Sequence, residues 1–308
     1  MILCIGKNLK KLIQADFDLV FFEKVEDVQE IDFSLVDGII CLVGNKIDKD
    51  LIDRCANLKV ISTCSVGFDH IDVEYAKEKG IFVTNAPGSN SLSVAEHTVG
   101  LMLGISHRIS EGDRFMRKGL CKGFEFELLE GNEISCDKVG IIGLGNIGSL
   151  VFKMLQNGFN MDVYYYDKDR KPEMEEMGAK YMEFDEIFKT CRFVSINLPL
   201  NNNTKHIINR DVLRLMSSDS FLINTSRGGV IDEEVLIEFL KEKRIAGAGL
   251  DVFENEKEVN SEFYSLENVV LTPHIAAHSS EAKEMMLKMG IDNIISVLNE
   301  GSPINNVY

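Results

Sequence analysis

Three side chains in the second half of the chain have the types needed to bind an acid and move a proton: Arg227, Glu256 and His274. The guanidinium fork of arginine suits a carboxylate that is held at two points. Histidine can both give and take a proton near neutral pH. Each of the three lies beyond an apolar run typical of a buried strand, where open sheets place their ligands. These residues therefore predict a site that holds a small acid and protonates it.

Spacing alone leaves the roles at these positions open. Three acids, Asp251, Glu254 and Glu256, lie close together on one loop, and nothing in their spacing chooses among them. A solvated acidic loop, a surface arginine and a structural histidine are the alternative interpretations at the three positions.

A glycine-rich turn further upstream predicts a dinucleotide site. The apolar run Val139–Ile142 leads into the G-x-G-x-x-G pattern of Gly143–Gly148. A helix-like run, Ser149–Asn157, comes next, and a second strand-like run, Met161–Tyr166, ends at Asp167. The glycine pattern alone is a weak signal. A strand before it, a helix after it and an acid beyond the second strand form the context that a dinucleotide site requires.

Each part of this pattern has a physical task. Gly143 would allow a tight turn, Gly145 the close approach of a diphosphate, and Gly148 the packing of helix on strand. The diphosphate would lie at the helix N-terminus. The carboxylate of Asp167 would accept hydrogen bonds from ribose hydroxyl groups and repel a 2′-phosphate, which favours NAD over NADP. A glycine turn without a ligand is the alternative interpretation.

Length and composition limit the class of protein and its partners. At 308 residues the chain is about twice the usual size of one domain, so two domains are expected. The net charge of −16 argues against nucleic acid and anionic membranes as partners. No apolar run approaches the ~20 residues of a membrane span. The seven cysteines include no C-x-x-C pair, which predicts no metal site and indicates reduced thiols in a cytoplasmic protein.

Short β-branched runs alternate with amphipathic stretches, which predicts parallel sheets with helices on both faces. The strand-like runs outside the dinucleotide unit are Ile2–Ile5, Leu19–Phe22, Gly38–Val43, Leu58–Ser62, Ile81–Thr84, Phe193–Asn197, Ser220–Asn224, Ala246–Leu250 and Val269–Thr272. A long helical stretch, Ser93–Phe115, interrupts the alternation. A last helix, Ser280–Asn299, is long enough to return to the first domain.

Several segments resemble the D-2-hydroxyacid dehydrogenase family, in the family's order and over nearly the whole chain. They are Ser65–Asp72, Asn85–Gly88, Val94–Thr98, Gly143–Gly148, Asn224–Gly229, Leu250–Phe253 and Pro273–His274. The resemblance implies an α/β fold of two Rossmann-like domains with doubly wound parallel sheets, the second inserted into the first. It implies a substrate (catalytic) domain of residues 1–95 plus 279–308 and an NAD-binding domain of residues 96–278.

The resemblance also implies a role for each member of the trio. In the family, the arginine that matches Arg227 binds the substrate carboxylate. The glutamate that pairs with His274 is Glu256 rather than Glu254, so the resemblance makes the choice that spacing leaves open. Lys257 stands where the family usually has proline, which is a departure in the loop that carries this glutamate.

Further binding residues follow from the same resemblance. The backbone amides of Val66 and Gly67 match a loop of the first domain that holds the substrate carboxylate. Asp251 matches a residue at the nicotinamide end of the cofactor. Together with the glycine pattern, the residues predicted to bind NAD are Gly143, Gly145, Asn146, Ile147, Gly148, Asp167, Leu198, Pro199, Thr225, Ser226, Asp251, Ala276 and Ala277.

The implied reaction is a single hydride transfer between NADH and C2 of a small 2-keto acid. Protonated His274 would donate to the carbonyl oxygen, and Glu256 would favour that protonated form. Two alternatives keep most of these residues: a D-3-phosphoglycerate dehydrogenase of serine biosynthesis, and a corepressor-type module that senses NADH. The resemblance also implies a homodimer formed through the helix at Ser93–Phe115.

The identity of the keto acid is predicted from missing positive charges. Phosphoglycerate dehydrogenases hold the substrate phosphate with arginines on two loops, and the matching segments here, Leu42–Asn45 and Ser62–Ser65, contain no basic residue. A phosphate dianion needs charge-assisted donors to offset its desolvation. The run Leu58–Gly67 is also similar to glyoxylate/hydroxypyruvate reductases, so glyoxylate or hydroxypyruvate is favoured. Lys46 and Arg54 are the nearest basic residues and could supply the missing charge.

Overall fold

Two compact units make up the protein. The computed structural model describes residues 1–7, 9–12, 18–29 and 31–308. One unit consists of Met1–Asn90 together with His278–Tyr308, and the other of Ser91–Ala277. The second unit is therefore inserted into the first. Helices and strands are numbered below in chain order.

The first unit contains a sheet of five parallel strands. They are β1 (Ile2–Ile5), β2 (Leu19–Phe22), β3 (Gly38–Cys41), β4 (Val60–Thr63) and β5 (Phe82–Thr84), in the order β2-β1-β3-β4-β5. Between them along the chain lie the helices α1 (Leu9–Leu12), α2 (Lys49–Arg54) and α3 (Val73–Glu78). The strands β1, β3 and β4 are buried along their whole length, as expected for continuous apolar runs covered on both faces.

The second unit contains a sheet of seven parallel strands. They are β6 (Lys138–Ile142), β7 (Asp162–Tyr166), β8 (Lys180–Tyr181), β9 (Phe193–Ile196), β10 (Phe221–Asn224), β11 (Gly247–Leu250) and β12 (Val269–Leu271), in the order β12-β11-β10-β9-β6-β7-β8. The helices are α4 (Ser91–Ser106), α5 (Ile109–Arg117), α6 (Asn146–Phe159), α7 (Pro172–Glu176), α8 (Phe184–Thr190), α9 (Arg210–Leu213) and α10 (Glu233–Lys241). The strand order reverses between β6 and β9, the place where doubly wound sheets bind their ligands.

Helices cover both faces of this second sheet. On one face α4 and α6 pack against strand residues such as Ile141 and Ile223. On the other face α8, α9 and α10 pack against Ile142 and Leu222. Successive residues of a strand point to opposite faces of the sheet. Because helices cover both faces, Ile141 and Ile142 are both buried, and so are Leu222 and Ile223. The predicted α/β class with doubly wound parallel sheets is confirmed.

The last helix, α11 (Ser280–Glu300), returns the chain to the first unit. Its Ile294 packs against Val60 on one face of the first sheet, whereas α2 and α3 cover the other face. This is the helix predicted for Ser280–Asn299. None of the helices in the described part of the chain combines the length and the apolar content that a membrane crossing requires.

The single helix predicted for Ser93–Phe115 is wrong. Two helices, α4 and α5, occupy this stretch, and Arg108 between them has a φ of 55°. Left-handed backbone costs a non-glycine residue roughly 1–2 kcal/mol, so outside contacts must favour the break. The Ser106 carbonyl oxygen accepts a hydrogen bond from the Asn132 N–H (2.7 Å). The Arg108 guanidinium donates twice to Glu111, at 2.7 Å each.

The boundaries between the units differ slightly from the predicted ones. The helix α4 begins at Ser91 and belongs as a whole to the second unit, so the first boundary lies at 90/91 rather than 95/96. The second lies at 277/278 rather than 278/279. A helix packs as one element, and the motif Val94–Thr98 inside it could not mark where the unit begins.

Candidate active site

The predicted site residues of the second unit gather at one edge of its sheet. All seven strands are parallel, so their carboxyl ends share this edge. The loops after β6, β7, β9, β10, β11 and β12 carry, in turn, Gly143, Asp167, Leu198, Arg227, Glu256 and His274. Because β10, β11 and β12 are neighbours, the structure brings the trio onto three adjacent loops.

The glycine loop after β6 has no room for a side chain at Gly143 and Gly148, whereas the space beside Gly145 is free of protein atoms. Gly143 has a φ of 91°, and a Cβ there would lie 2.5 Å from the Asn197 carbonyl oxygen. A Cβ on Gly148 would lie 2.1 Å from the Gly143 carbonyl oxygen. A Cβ on Gly145 would meet no atom within 4 Å. Gly143 and Gly148 therefore serve the turn and the helix packing, whereas Gly145 faces open space.

The helix α6 starts directly after this loop with an uncapped first turn. Gly145 is the N-cap and offers no side-chain acceptor, while Asn146 is exposed and Ile147 half-buried. N–H groups at a helix N-terminus lack partners within the helix, and together with the helix dipole they favour an anion. This turn and the space beside Gly145 fit the diphosphate of a dinucleotide.

The carboxylate of Asp167 lies at the mouth of the same loop. Its Oδ2 accepts a hydrogen bond from the Leu144 N–H at 2.9 Å, and its Oδ1 lies 3.4 Å from the Asp169 N–H. The residue is half-buried and keeps some surface toward solvent. An acceptor-only group at this place suits ribose hydroxyl groups and disfavours a phosphate.

Two further positions predicted to bind the cofactor lie on the loop after β9. Leu198 covers the glycine loop, since its Cδ2 lies 3.2 Å from a Cβ placed on Gly143. Pro199 follows it and is exposed. The loop therefore places an apolar side chain beside the glycine turn at the reversal point of the sheet.

The turn after β10 is fixed by the side chain of Asn224, which is fully buried. Its Oδ1 accepts from the N–H (3.0 Å) and the hydroxyl group (2.8 Å) of Ser226, and its Nδ2 donates to the Arg227 carbonyl oxygen (3.0 Å). The Thr225 hydroxyl oxygen lies 2.8 Å from that of Thr98 on α4. Thr225 and Ser226, both predicted to bind the cofactor, thus have hydroxyl groups with partners within the protein. Asn224 sets the direction in which Arg227 leaves the strand.

The loop of Arg227 and the loop of Glu256 touch through their backbones. A Cβ on Gly228 would lie 1.9 Å from the Phe253 carbonyl carbon and 2.4 Å from the Glu254 nitrogen. Only glycine permits such an approach. Gly228 therefore keeps Arg227 beside the segment that leads to Glu256.

Glu256 and His274 are in direct contact. The Nδ1 atom of His274 lies 2.7 Å from Oε1 of Glu256. A carboxylate only accepts hydrogen bonds, so Nδ1 carries a proton and Nε2 is the ring atom left to give or take another. The two side chains are 35% and 44% exposed, so a small molecule from solvent can reach the imidazole.

Glu254, the competing acid on this loop, has different partners. Its Oε1 accepts from the Glu233 N–H (3.1 Å) and lies 3.0 Å from His206 Nε2, while its own N–H donates to Glu233 Oε1 (2.5 Å). Burial raises the pKa of Glu233, and the hydrogen bond from the Glu254 N–H opposes that shift. This reciprocal pair fixes the loop to the start of α10 and leaves Glu256 to His274.

Asp251 is fully buried and binds the loop that carries His274. Its Oδ1 accepts from the Ile275 N–H (2.9 Å) and its Oδ2 from the Ala276 N–H (2.8 Å). Its carbonyl oxygen accepts from the His274 N–H (2.8 Å). The structure therefore shows Asp251 holding this loop, and a contact between Asp251 and the nicotinamide stays a prediction.

The backbone at His274 requires this support. Its φ of 52° lies in the left-handed region, which costs a non-glycine residue roughly 1–2 kcal/mol. The far end of the loop is held as well, because the Ser93 hydroxyl group donates to the Ala276 carbonyl oxygen at 2.6 Å. Ala276 is buried, and Ala277 after it is half-buried.

In the first unit, the loop after β4 turns its carbonyl groups toward the protein. The Ser65 carbonyl oxygen accepts from the Ala86 N–H (2.9 Å), and that of Gly67 accepts from the Ser65 hydroxyl group (2.6 Å). The Val66 carbonyl oxygen accepts from Asn85 Nδ2 (2.7 Å). Within the described residues, the N–H groups of Val66 and Gly67 have no hydrogen-bond partner. Adjacent N–H groups of this kind can bind an anion.

A chain of hydrogen bonds sets this loop. The Ser65 hydroxyl group gives its only proton to the Gly67 carbonyl oxygen, so it accepts from Thr63 Oγ1 at 2.7 Å. Thr63, which is fully buried, in turn accepts from His70 Nε2 at 3.2 Å. The segment resembling the family at Ser65–Asp72 thus contains both the loop and one of the groups that orient it.

Several positioning residues lie outside the sequence prediction. They are Thr63, Ser65, Asn224, Gly228 and Glu233. Asn224 and Gly228 have a local signal, an asparagine that ends a strand and a glycine pair directly after the arginine. Glu233 lies 21 residues before its partner Glu254, and no spacing in the sequence links the two.

Comparison with known proteins identifies a family that this chain matches. A family model described as D-isomer specific 2-hydroxyacid dehydrogenase, NAD binding domain, matches residues 99–276. The glyoxylate reductase of Thermococcus litoralis is 41% identical over 293 residues, which cover 94% of this chain and 86% of that protein.

Solved structures show the same similarity over the full length. A D-lactate dehydrogenase from Aquifex aeolicus, complexed with NAD and lactic acid, has a TM-score of 0.87 and 29% identity and covers 100% of this chain and 99% of that chain. An NADPH-dependent glyoxylate/hydroxypyruvate reductase from Sinorhizobium meliloti, complexed with NADP and malonate, has a TM-score of 0.86 and 29% identity. The match covers 99% of this chain and 96% of that chain.

The resemblance inferred from the short motifs is therefore confirmed. The matched family model spans the glycine loop, Arg227, Glu256 and His274, and it covers more than half of the chain. The Thermococcus litoralis relative extends the match to 94% of the chain. This protein belongs to the D-2-hydroxyacid dehydrogenase family and is an NAD(P)-dependent oxidoreductase.

Proposed function

We propose that this protein uses NADH to reduce a small 2-keto acid, either glyoxylate or hydroxypyruvate, to the 2-hydroxy acid. The observation that carries the proposal is the 2.7 Å contact between His274 and Glu256, on the sheet edge that also holds the glycine loop and Asp167. This edge combines a proton donor with a place for a dinucleotide. The relatives named glyoxylate reductase and glyoxylate/hydroxypyruvate reductase support the class of substrate.

The residues of the chain orient the acid and protonate it. When bound, NADH supplies a hydride to C2 of the keto acid. His274 donates a proton to the carbonyl oxygen from Nε2, because Nδ1 is committed to Glu256. Glu256 holds the ring in this orientation by accepting the hydrogen bond from Nδ1. The reverse reaction requires the same Nε2 atom without its proton.

In the second unit, the substrate carboxylate is assigned to Arg227. The turn that carries Arg227 is fixed by Asn224 and Gly228, so the guanidinium fork extends from a rigid base. In the first unit, the N–H groups of Val66 and Gly67 are the donors assigned to an anion. Holding the acid at its carboxylate would orient the carbonyl group for both transfers.

Replacing the proton donor tests this mechanism. We expect His274→Ala to lower kcat by on the order of 10²–10⁴-fold, the usual contribution of general acid catalysis. The KM for NADH should change little, because the glycine loop and Asp167 are untouched. Initial rates of NADH oxidation with glyoxylate measure both constants. The same substitution at exposed His107 is the control, and a His274→Ala enzyme that keeps about a tenth or more of the wild-type turnover would remove His274 from the mechanism.

The choice between NADH and NADPH rests on Asp167. Family membership leaves this choice open, since the Sinorhizobium meliloti relative is NADPH-dependent and the Aquifex aeolicus relative is complexed with NAD. The Asp167 carboxylate lies against the glycine loop through its 2.9 Å bond with the Leu144 N–H. A 2′-phosphate placed there would meet a negative charge and would offer no hydroxyl group to that carboxylate.

We therefore expect kcat/KM to be about tenfold or more higher with NADH than with NADPH, because a like-charge contact opposes NADPH. Asp167→Asn keeps an oxygen for the Leu144 N–H but removes the charge, so it should narrow the difference. Steady-state rates with both cofactors at saturating glyoxylate provide the measurement. Equal efficiency of the wild-type enzyme with the two cofactors would contradict the role of Asp167.

The substrate assignment rests on two first-unit segments without a basic residue, Leu42–Asn45 and Ser62–Ser65. Of the two nearest cations, Arg54 is engaged elsewhere: its Nη2 donates to the Val28 carbonyl oxygen (3.2 Å), and its guanidinium carbon lies 3.8 Å from the centre of the Phe33 ring. Lys46 is exposed on the loop after β3. A single exposed lysine is a weak partner for a phosphate dianion compared with the arginine fork.

We expect glyoxylate or hydroxypyruvate to be reduced with a kcat/KM about tenfold higher than 3-phosphohydroxypyruvate, because the phosphate would lose hydration without gaining strong donors. Lys46→Ser should leave the efficiency with glyoxylate unchanged. A substrate panel followed by NADH absorbance provides the measurement. A higher kcat/KM for 3-phosphohydroxypyruvate in the wild-type enzyme would favour a D-3-phosphoglycerate dehydrogenase, above all if Lys46→Ser removes that advantage. Tight NADH binding without turnover of any 2-keto acid would favour a corepressor-type sensor.

We also propose that the protein forms a homodimer. The segment after α5 exposes two large aromatic side chains, Phe124 and Phe126, at 92% and 91%. Met116 and Leu120 close to them in sequence are exposed as well. Large apolar side chains grouped at a surface mark sites of association. The family resemblance implies a second copy of the chain with Ser93–Phe115 at the interface, and we assign the contact to the exposed segment that follows this stretch.

Light scattering coupled to size-exclusion chromatography should give about twice the chain mass of 34.6 kDa. We expect the double variant Phe124→Ser, Phe126→Ser to shift the protein toward the single-chain mass, because it removes the exposed apolar surface. Tyr264→Ser, at another exposed aromatic residue, is the matched control. A wild-type protein that elutes with the mass of one chain would rule out the dimer.

A further inference from the structure

We propose that His97 is a positioning residue for His274 and acts through Thr272 and Asp251. This inference rests on the proposed role of His274 as the proton donor. His97 lies on α4, a helix that carries none of the predicted catalytic residues, and its side chain is 23% exposed. Among the described residues, the side chain of His97 contacts Thr272 and Asp251 rather than His274 itself.

A short series of contacts joins the two histidines. His97 Nε2 lies 2.9 Å from Thr272 Oγ1 and 3.5 Å from Asp251 Oδ1. Thr272 Oγ1 lies 2.5 Å from Asp251 Oδ1. The carbonyl oxygen of Asp251 accepts from the His274 N–H, and its carboxylate accepts from the N–H groups of the next two residues. Asp251 is thus bonded to three consecutive residues of the loop that carries the proton donor.

The number of protons fixes the direction of every bond in this series. The Asp251 carboxylate acts as an acceptor, because backbone N–H groups donate to both of its oxygens. The Thr272 hydroxyl group has one proton and gives it to Asp251. Toward His97 the Thr272 oxygen can therefore only accept. It follows that His97 carries a proton on Nε2, so one hydroxyl group selects the tautomer of this histidine.

Two residues of α4 hold the loop after β12 from the same side. Ser93 and His97 are four residues apart and share one face of the helix. The Ser93 hydroxyl group donates to the Ala276 carbonyl oxygen at 2.6 Å, and His97 donates to Thr272. The helix also packs against β10, β11 and β12. A rigid element therefore holds both ends of the loop in whose middle His274 lies.

This support matters because the backbone of His274 is in the left-handed region, with a φ of 52°. Such a conformation persists only where the surroundings impose it. Loss of the His97 donor would leave the Thr272 hydroxyl group without the bond that orients it toward Asp251, so the carboxylate and the loop bonded to it would be held less firmly. The imidazole of His274 would then be less well aligned, and small misplacements of a catalytic group lower the rate strongly.

Removing either partner of the His97–Thr272 bond tests the inference. We expect His97→Leu and Thr272→Val each to lower kcat about tenfold, corresponding to a poorly aligned acid, while the KM for NADH stays nearly constant. His97→Gln keeps an N–H donor and Thr272→Ser keeps the hydroxyl group, so both should recover most of the turnover. His107→Leu, the same substitution at an exposed histidine directly after α4, is the control.

A double variant distinguishes a positioning role of His97 from a general loss of structure. In His274→Ala, adding His97→Leu should cause no further loss of turnover, because the two changes act on the same step. A further tenfold loss there, or a His97→Leu enzyme as active as the wild type, would overturn the inference.

The contacts that join His97 to the loop of His274 can also be tested without measuring turnover. This test can fail or succeed independently of the proposed function. If the protein reduces no 2-keto acid, the proposed function fails. Imidazole ¹⁵N spectra still report whether His97 is protonated on Nε2 and whether the His274 signals shift in His97→Leu but not in His107→Leu. A proton found only on Nδ1 of His97, or unshifted His274 signals, would overturn the inference.

Discussion

A carboxylate that has been removed from water organises the candidate site. Burying a charged group without hydrogen bonds costs several kcal/mol, so the fully buried Asp251 must be surrounded by donors. The loop after β12 provides them, with two backbone N–H groups and the hydroxyl group of Thr272. Because the carboxylate must keep these partners, the loop is held in one conformation. That conformation includes the left-handed backbone of His274 and places its imidazole 2.7 Å from Glu256.

The other reactive side chains are held according to the same rule. Arg227 extends from a turn fixed by Asn224, and Glu256 follows a segment that Glu233 and Glu254 bind to the start of α10. In each case the holding group is buried or paired within the protein, and the reactive group is left partly exposed. A parallel sheet makes this possible because neighbouring strands deliver their loops to one edge. Accurate placement then depends on the groups behind each reactive side chain.

Local patterns in the sequence predicted much of this arrangement. Runs of β-branched residues predicted the strands, and the glycine spacing with its acid predicted the loop after β6, because both depend on nearby residues. The break in the helix at Ser93–Phe115 could not be predicted, since the carbonyl oxygen of Ser106 takes its partner from Asn132. Strand ends also depend on pairing: the run Gly38–Val43 is strand only over Gly38–Cys41.

The choice between two glutamates shows the same limit. Glu254 and Glu256 are two residues apart, and what separates them is the position of Glu233 and His274 in space. Only the family resemblance selected Glu256 from the sequence. His97, the donor to Thr272, was not predicted as a site residue: it lies within the motif Val94–Thr98, but it is 175 residues from Thr272 and no spacing links the two.

The most direct measurement of the central claim is the fate of the hydride. We expect that glyoxylate, reduced by the wild-type protein with NADH deuterated at the transferable C4 position of the nicotinamide ring, gives glycolate with one deuterium at C2. Proton NMR of the product would show this, with one NADH consumed for each glycolate formed. Glycolate without deuterium at C2, or NADH that is not consumed with either glyoxylate or hydroxypyruvate, would contradict the proposed reduction.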